Sequence, residues 1–309
     1  MHSANSDQVV SAKSIAATPV ALARHCLIDR TLFQGTATAV GEFRCPVGHP
    51  AFINSGPTER CIVVFPRTSV WINHEGSRPF VADPNIVTIY NRAQRYERAP
   101  LSPDGDRCDW FAVTDDVARG IVAAYDPTAA ERSDRPFRFE SAPSTPALYF
   151  AQRRLVRQLR RRAAEPLGVE TEVMDLVSSV LALAYQRAPL PFERRGSAEQ
   201  RHRDLVENAK MEIVQTFTAN RSVSDIARVV GTSVFHLCRV FRAQTGRTMH
   251  EYRTELRLRA ALERIADGGV TLSVVAHELG FASHSHLVRV CQRQLGAAPG
   301  KVREQLLAG

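Results

Sequence analysis

SVSDIARVVGTSVFHLCRVFRAQTG, residues 222–246, and TLSVVAHELGFASHSHLVRVCQRQLG, residues 271–296, are one pattern written twice. Ile226-Ala227, Val230-Gly231, Leu237 and Arg239-Val240 in the first stretch match Val275-Ala276, Leu279-Gly280, Leu287 and Arg289-Val290 in the second. The offset is 49 residues up to the glycine and 50 after it, so the second copy carries one extra turn residue. Ala227 and Ala276 are small enough to let a second helix cross closely. Gly231 and Gly280 follow a helix of about two turns, where a left-handed backbone is cheap only for glycine. Ser233 and Ser283 then stand where a helix N-cap is needed. Leu237, Val240 and Phe241 share one face, which leaves Phe235, His236, Arg239 and Arg242 on the other. This is the sequence form of a helix-turn-helix, and two copies in register make it a strong signal.

RTMHEYRTELRLRAALERIADGG lies between the copies and has no interior Gly or Pro. Tyr252, Leu256, Arg259-Ala260 and Leu262-Glu263 keep helical spacing. A helix of ~20 residues is roughly 30 Å long, close to the ~34 Å of one DNA turn. Such a rod would set two recognition helices into successive major grooves. The segment 201–309 holds 16 Lys plus Arg against 10 Asp plus Glu, so it carries a surplus of 6 within a chain whose net charge is +8. A basic surplus favours polyanions, nucleic acid first.

With these residues in place, the region resembles the AraC/XylS family of bacterial transcription regulators. The resemblance spans residues 201–307: an opening helix over 202–218, both helix-turn-helix copies, the connecting helix, and the closing Gly296-Ala297-Ala298-Pro299-Gly300-Lys301-Val302-Arg303. Its most specific part is Ala276-x-Glu278-Leu279-Gly280-Phe281-Ala282-Ser283-x-Ser285-His286-Leu287-x-Arg289, continued by Gly296-Ala297-x-Pro299 and Arg303. Met249, Leu287 and Cys291 depart from the family's usual residues on the packed side. The resemblance implies base or phosphate contact by Ser233, Phe235, His236, Cys238, Arg239 and Arg242 on the first recognition helix. On the second it implies contact by Ser283, His284, Ser285, His286 and Arg289. Arg suits guanine, Ser and His reach base edges or phosphate, and Phe235 suits a thymine methyl group.

The first two thirds of the chain read differently. Residues 24–140 hold short β-type runs such as TLFQGTATAV and RCIVVFPRTSVWINHEG, broken by turns at Asn73-His74-Glu75-Gly76 and Pro103-Asp104-Gly105. The spacing and turns point to an all-β sandwich or barrel. The layout resembles the companion domain of many AraC-type regulators, which implies a mostly β, cupin-like barrel with flanking helices ahead of an all-α tandem helix-turn-helix domain in a multi-domain chain. Residues 1–23 read as a disordered tail and 188–200 as a linker. Residues 145–187 read as helices, opened by a Thr145 cap and Pro146. The stripe Val173, Leu176, Val177, Val180, Leu181 and Ala184 would be either a dimer seam or a face packed on the barrel. The family layout favours dimerisation. RRLVRQLRRRAA, residues 153–164, is an Arg-rich helix, either solvated or in contact with DNA backbone or acidic lipid.

No stretch of the chain is long and apolar enough for a membrane span. Its six cysteines form no CxxC motif, which fits reduced thiols in a cytoplasmic, nucleoid-associated protein. Cys45, His49, Cys61 and Cys108 are either small buried residues or a metal or thiol sensor, with Cys45, His49 and Cys108 the candidate ligands. A catalytic metal cupin would show His-x-His on a strand. The β region has only His25, His49 and His74, and the one His-x-His, His284 and His286, falls on a helix. No enzyme, cofactor or resident metal is therefore expected. Trp71, Trp110, Phe65, Phe111 and Tyr90 are candidates for lining an effector pocket. The function expected is an effector-responsive activator that binds promoter DNA as a homodimer and meets RNA polymerase. A non-sensing architectural or repressor dimer, or an enzyme domain fused to a DNA-binding module, are the alternatives.

Overall fold

The computed structural model describes residues 27–53, 55–131, 134–187, 196–267 and 269–307. The tail expected over 1–23, and residues 188–195 of the expected linker, lie outside them. The rest of that linker is not loop: Gly196 caps helix α5, Ser197–Thr216.

Among the described residues, nine strands make two sheets. The larger, in the order β1-β2-β8-β3-β6-β9, comprises β1 (Ile28–Gln34), β2 (Thr38–Cys45), β3 (Cys61–Pro66), β6 (Ile86–Tyr90), β8 (Asp106–Val113) and β9 (Ser141–Pro143). Neighbours are antiparallel, with Val40↔Phe111, Phe65↔Asp109 and Val63↔Ile89 among the register pairs. The smaller sheet, β5-β4-β7, comprises β4 (Val70–His74), β5 (Phe80–Ala82) and β7 (Tyr96–Pro100). The two sheets do not pair strand to strand, so the barrel stays open. Both expected turns form: Ser77 N donates to His74 O at 2.9 Å and Gly105 N to Ser102 O at 3.2 Å.

Alternation along the strands sends successive side chains to opposite faces. On the large sheet, Val40, Val63, Phe65, Ile89, Phe111 and Val113 form one core with four helices. These are α1 (Asp115–Ala123), α2 (Pro127–Ala130), α3 (Pro146–Arg160) and α4 (Pro166–Arg187). Thr145 caps α3 by accepting from Leu148 N, with Pro146 in its first turn. The stripe Val173, Leu176, Val177, Val180, Leu181 and Ala184 of α4 is buried in this same core, at most 6% exposed. That corrects the reading of the stripe as a dimer seam: its apolar face is already covered by the sheet of its own chain.

The C-terminal region is all helix. After α5 come α6 (Val223–Val229), α7 (Val234–Thr245), α8 (Met249–Asp267), α9 (Leu272–Glu278), α10 (His284–Leu295) and α11 (Pro299–Leu307). The two pairs repeat at the offsets read from the sequence, 49 residues for α6 and α9 and 50 for α7 and α10. Helix α8 carries two cores. Met249, Tyr252 and Leu256 of its first half join Ile226, Leu237 and Phe241 of the first helix-turn-helix unit. Leu258, Ala261 and Ile265 of its second half join Val275, Leu287 and Val290 of the second unit. Met249, Leu287 and Cys291, the residues that depart from the family, are all buried and packed.

Candidate nucleic-acid interface and inter-sheet cavity

Each helix-turn-helix unit is built by local chemistry. Ser222 and Asp225 form a capping box at the start of α6. Gly231 and Gly280 hold φ of +70° and +75°, the left-handed turn that both copies require. They differ in surroundings. A Cβ on Gly231 would meet open space, whereas one on Gly280 would lie 2.0 Å from the Thr218 carbonyl oxygen. Ser233 and Ser283 cap the recognition helices by accepting from the His236 and His286 amides, at 3.2 and 3.1 Å. Their Oγ atoms are thereby engaged in folding, and only a spare lone pair or proton is free for a phosphate.

Leu237, Val240 and Phe241 of α7, and Leu287, Val290 and Cys291 of α10, point into the core. The opposite faces are open. Phe235 is 80% exposed. Cys238, Arg239 and Arg242 lie beside it on α7, and His284, Ser285 and Arg289 on the matching face of α10. An exposed phenylalanine at the head of a basic helix contributes nothing to the core of its own chain. His236 and His286 are held by neighbours. His236 packs on His202, ring centroids 5.3 Å apart, and lies 3.4 Å from the Arg239 guanidinium. His286 accepts at Nδ1 from Ala282 N at 3.3 Å and stacks edge-on against Phe281. Burial, then the neighbouring Arg289, hold the His286 ring below the ordinary histidine value. Its ring is thus held at the turn, while His284, Ser285 and Arg289 are exposed on α10. Gln292 and Arg293 are exposed on the same helix and were not singled out from sequence. The offset of 50 maps Arg242 onto Gln292, and that was the signal available.

Between the two sheets lies a cavity of ≈ 600 Å³. Such a volume is ordinary for small-molecule sites. Of the aromatic candidates, Trp110 and Tyr90 line it. Phe65 and Phe111 instead stack edge-on in the helix-covered core, ring centroids 5.5 Å apart. Trp71 turns outward onto the first helix-turn-helix core. The cavity's charges are Arg98 and Asp106, paired at 2.7 Å and buried, with Asp29, Glu59 and Arg60 also among its lining residues. Arg98 also donates to the Phe52 and Ala51 carbonyls, at 3.2 and 2.6 Å. It is thus anchored in the wall.

The candidate metal ligands have other partners. Cys45 is buried, with Sγ 3.7 Å from the Pro46 carbonyl. His49 accepts from Ala51 N at Nδ1, 3.1 Å, and so caps a single 3₁₀ turn. Cys108 faces the cavity, and burial raises its thiol well above the usual range. Cys61, raised to about 11 by burial, contacts Asp115 at 3.6 Å. Among the described residues, no three His, Cys, Asp or Glu side chains converge to hold an ion. His74 packs among Phe80, Tyr90 and Tyr96, and burial lowers its ring to about 4, so it is neutral.

The Arg-rich helix α3 has a definite assignment. Arg153, Arg157 and Arg161, spaced four apart, reach the C-terminal region. Arg153 Nε meets Glu263 at 2.6 Å, and Arg157 meets the Ala266 carbonyl and Asp267 at 3.3 and 3.2 Å. Arg161 donates to the Leu307 carbonyl at the end of α11. Cations at helix C-termini are favourable. Arg154 and Arg160 pair with Glu172 and Glu42. Arg153, Arg157 and Arg161 therefore hold the two regions together. No helix among the described residues is long and apolar enough to cross a membrane.

Comparison with known proteins agrees with the helix-turn-helix geometry. A helix-turn-helix domain model matches residues 226–305. The HTH-type transcriptional regulator YfiF of Bacillus subtilis is 26% identical over 153 residues, 48% of each chain. The HTH-type transcriptional regulator GlxA of Rhizobium meliloti is 30% identical over 129 residues, covering 40% of this chain and 38% of that one. The chain thus spans about half the length, or less, of these curated relatives. Among solved structures, ToxT of Vibrio cholerae is 12% identical and aligns over 88% of this chain and 99% of its own, with a TM-score of 0.35. The DNA-binding domain of AdpA, solved in complex with a target DNA, is 22% identical over 33% of this chain and 93% of its own, TM-score 0.32. Duplicated turn, capped recognition helices and matched relatives converge on one statement: residues 226–305 form a helix-turn-helix domain similar to those of AraC-like transcription regulators.

Proposed function

We propose that this protein is a sequence-specific DNA-binding regulator whose two recognition helices enter successive major grooves, under control of a small molecule held between its two sheets. The observation that carries this reading is the pair of open recognition faces on either half of one unbroken helix. Helix α8 has 19 residues, about 28 Å of rise, which suits grooves ~34 Å apart. Phe235, Cys238, Arg239 and Arg242, with His284, Ser285 and Arg289, make the base and phosphate contacts. Activation of transcription, contact with RNA polymerase, and a homodimer working on the nucleoid in the cytoplasm follow the family's pattern. A dimer would use a surface other than the spent stripe of α4. The protein is read as a regulator, not an enzyme.

Selection of binding sites from random duplex DNA by the full chain tests the proposal. A recovered motif of two half-sites about one helical turn apart is expected. Affinity should fall steeply between low and physiological salt, as counterions released by Lys and Arg contacts require. Recovery of no enriched sequence would overturn it.

A further inference from the structure

Period-two alternation gives every strand two faces, and in this chain both faces of both cavity walls are in use. In the small sheet, Val70, Ile72 and Ala82 face the cavity. Their neighbours Trp71 and Val81 pack on the first helix-turn-helix core. The backbone of Val81 is held from both sides: its amide donates to Glu207 at 2.7 Å and its carbonyl accepts from Lys210 at 3.0 Å, both on α5. Just beyond β5, Asp83 accepts from the Tyr252 hydroxyl at 2.6 Å, on the first half of α8.

The large sheet does the same toward the other unit. Val64 and Pro66 of β3, with Cys108 and Trp110 of β8, face the cavity. The intervening Asp109, and Arg67 just after β3, point to the opposite side. Arg153 Nη1 bridges to Asp109 at 2.7 Å, and its Nε to Glu263 at 2.6 Å. Arg67 joins Glu263 at 2.5 Å, and the Tyr149 hydroxyl donates to it at 3.2 Å. Glu263 lies on the second half of α8. All these partners come from the N-terminal region, two from α3 and one from just after β3, so this carboxylate is satisfied only while that region is docked. An unpaired buried charge is strongly unfavourable.

We propose that the inter-sheet cavity works as a caliper, so that filling it changes the relative pose of the two recognition helices. The β4–β5 wall is fastened to the first helix-turn-helix unit at Trp71 and Val81. The β3–β8 end of the other wall is fastened to the second half of α8 at Glu263. The bonds of Asn85 and Ser144 to Tyr252 and Arg259 form the pivot between them. Spreading the walls moves Trp71 and Val81 with the first unit, and Asp109, Arg153 and Glu263 with the second. Helix α8, gripped at Tyr252 and at Glu263, takes up the difference, and the two packed units shift on it. Regulation is then by spacing and not by masking, since the recognition faces stay exposed with the sheets docked. The inference rests on the regulator reading above and adds how that cavity communicates.

The test uses the full chain with spin labels on the native, exposed Cys238 of α7 and on Ser285→Cys of α10, with Cys26 replaced by Ser. Cys45, Cys61, Cys108 and Cys291 are buried. Two variants fill the cavity from within, Val64→Phe and Ala112→Leu, and Trp110 emission reports the filling. Pulsed dipolar spectroscopy is expected to show a displaced label-to-label distance in both filled variants. Glu263→Gln, which removes the carboxylate shared by Arg67 and Arg153, should broaden the distance distribution and reduce that displacement. Identical distances in the wild type and in whichever filled variant folds and shifts Trp110 emission would overturn the proposal. So would a displacement that persists undiminished in Glu263→Gln. These distances are read without DNA, so failure of the selection experiment leaves them informative, and the converse holds.

Discussion

The Tyr252 hydroxyl donates a 2.6 Å hydrogen bond to Asp83 across 169 positions of sequence, with both residues essentially sealed from solvent. Asp83 also accepts from Asn85 N at 2.8 Å. Burial pushes its carboxyl above the usual range, opposed by Lys210 and by the Tyr252 bond. Tyr252→Phe removes one donor and leaves a buried acceptor short. We expect about 1–3 kcal/mol of lost stability, measured by urea unfolding of the full chain. The ring that contacts Phe241, centroids 5.4 Å apart, is retained in that variant, so the loss reports the hydrogen bond and not the packing.

Glu263 gives a pH dependence of definite sign. Burial alone would raise its carboxyl, but Arg153 and Arg67 together hold it well below the ordinary glutamate value of 4.5. A carboxyl depressed in the folded state adds stability that is complete above its unfolded value and fades as pH falls beneath it. The stability difference between wild type and Glu263→Gln should therefore be largest and flat at neutral pH. It should shrink steadily below about pH 4.5. Denaturation midpoints followed from neutral into acid measure it, and a difference that grows on acidification would contradict the assignment.

Arg239 is exposed on the face of α7 that carries Phe235. Arg239→Ala is expected to cost about 1–3 kcal/mol at one base-pair position of the selected site, and to relax preference there. Folding stability should move by no more than about 0.5 kcal/mol. Competition binding with single-position site variants separates this from a general phosphate contact, whose loss would weaken all sequences alike.

Gly231 and Gly280 occupy matched positions, yet their alanine variants should differ. At Gly231 the added methyl meets nothing, so Gly231→Ala carries only the left-handed backbone penalty of about 1–2 kcal/mol. At Gly280 it collides with the Thr218 carbonyl and also crowds Arg257. Gly280→Ala should be clearly the more damaging of the two in thermal unfolding. Equal effects would mean that the Thr218 segment is free to move away.

What this sequence determined by itself is whatever is encoded within about one helix-turn-helix length. Ser233 and Ser283, the left-handed glycines, and the inward Leu237 and Leu287 depend on neighbours three or four positions away, so a linear reading finds them. The same holds for Thr145 with Pro146, and for the exposed faces of α7 and α10. What only the tertiary structure decided is the identity of distant partners. Periodicity announced that Val173 to Ala184 of α4 would be buried, but an apolar stripe does not say whether a sheet or a second copy covers it. Arg153, Arg157 and Arg161 read as a solvated basic face because their acceptors, Glu263, Asp267 and the Leu307 carbonyl, lie more than a hundred positions away. Alternation in β3, β4, β5 and β8 marked two faces per strand, while the assignment of one to a cavity and the other to the DNA-binding region came from how the sheets pack. Hydrophobic burial is non-directional and charge pairing acts between whichever groups the fold brings together, so neither specifies its partner in sequence.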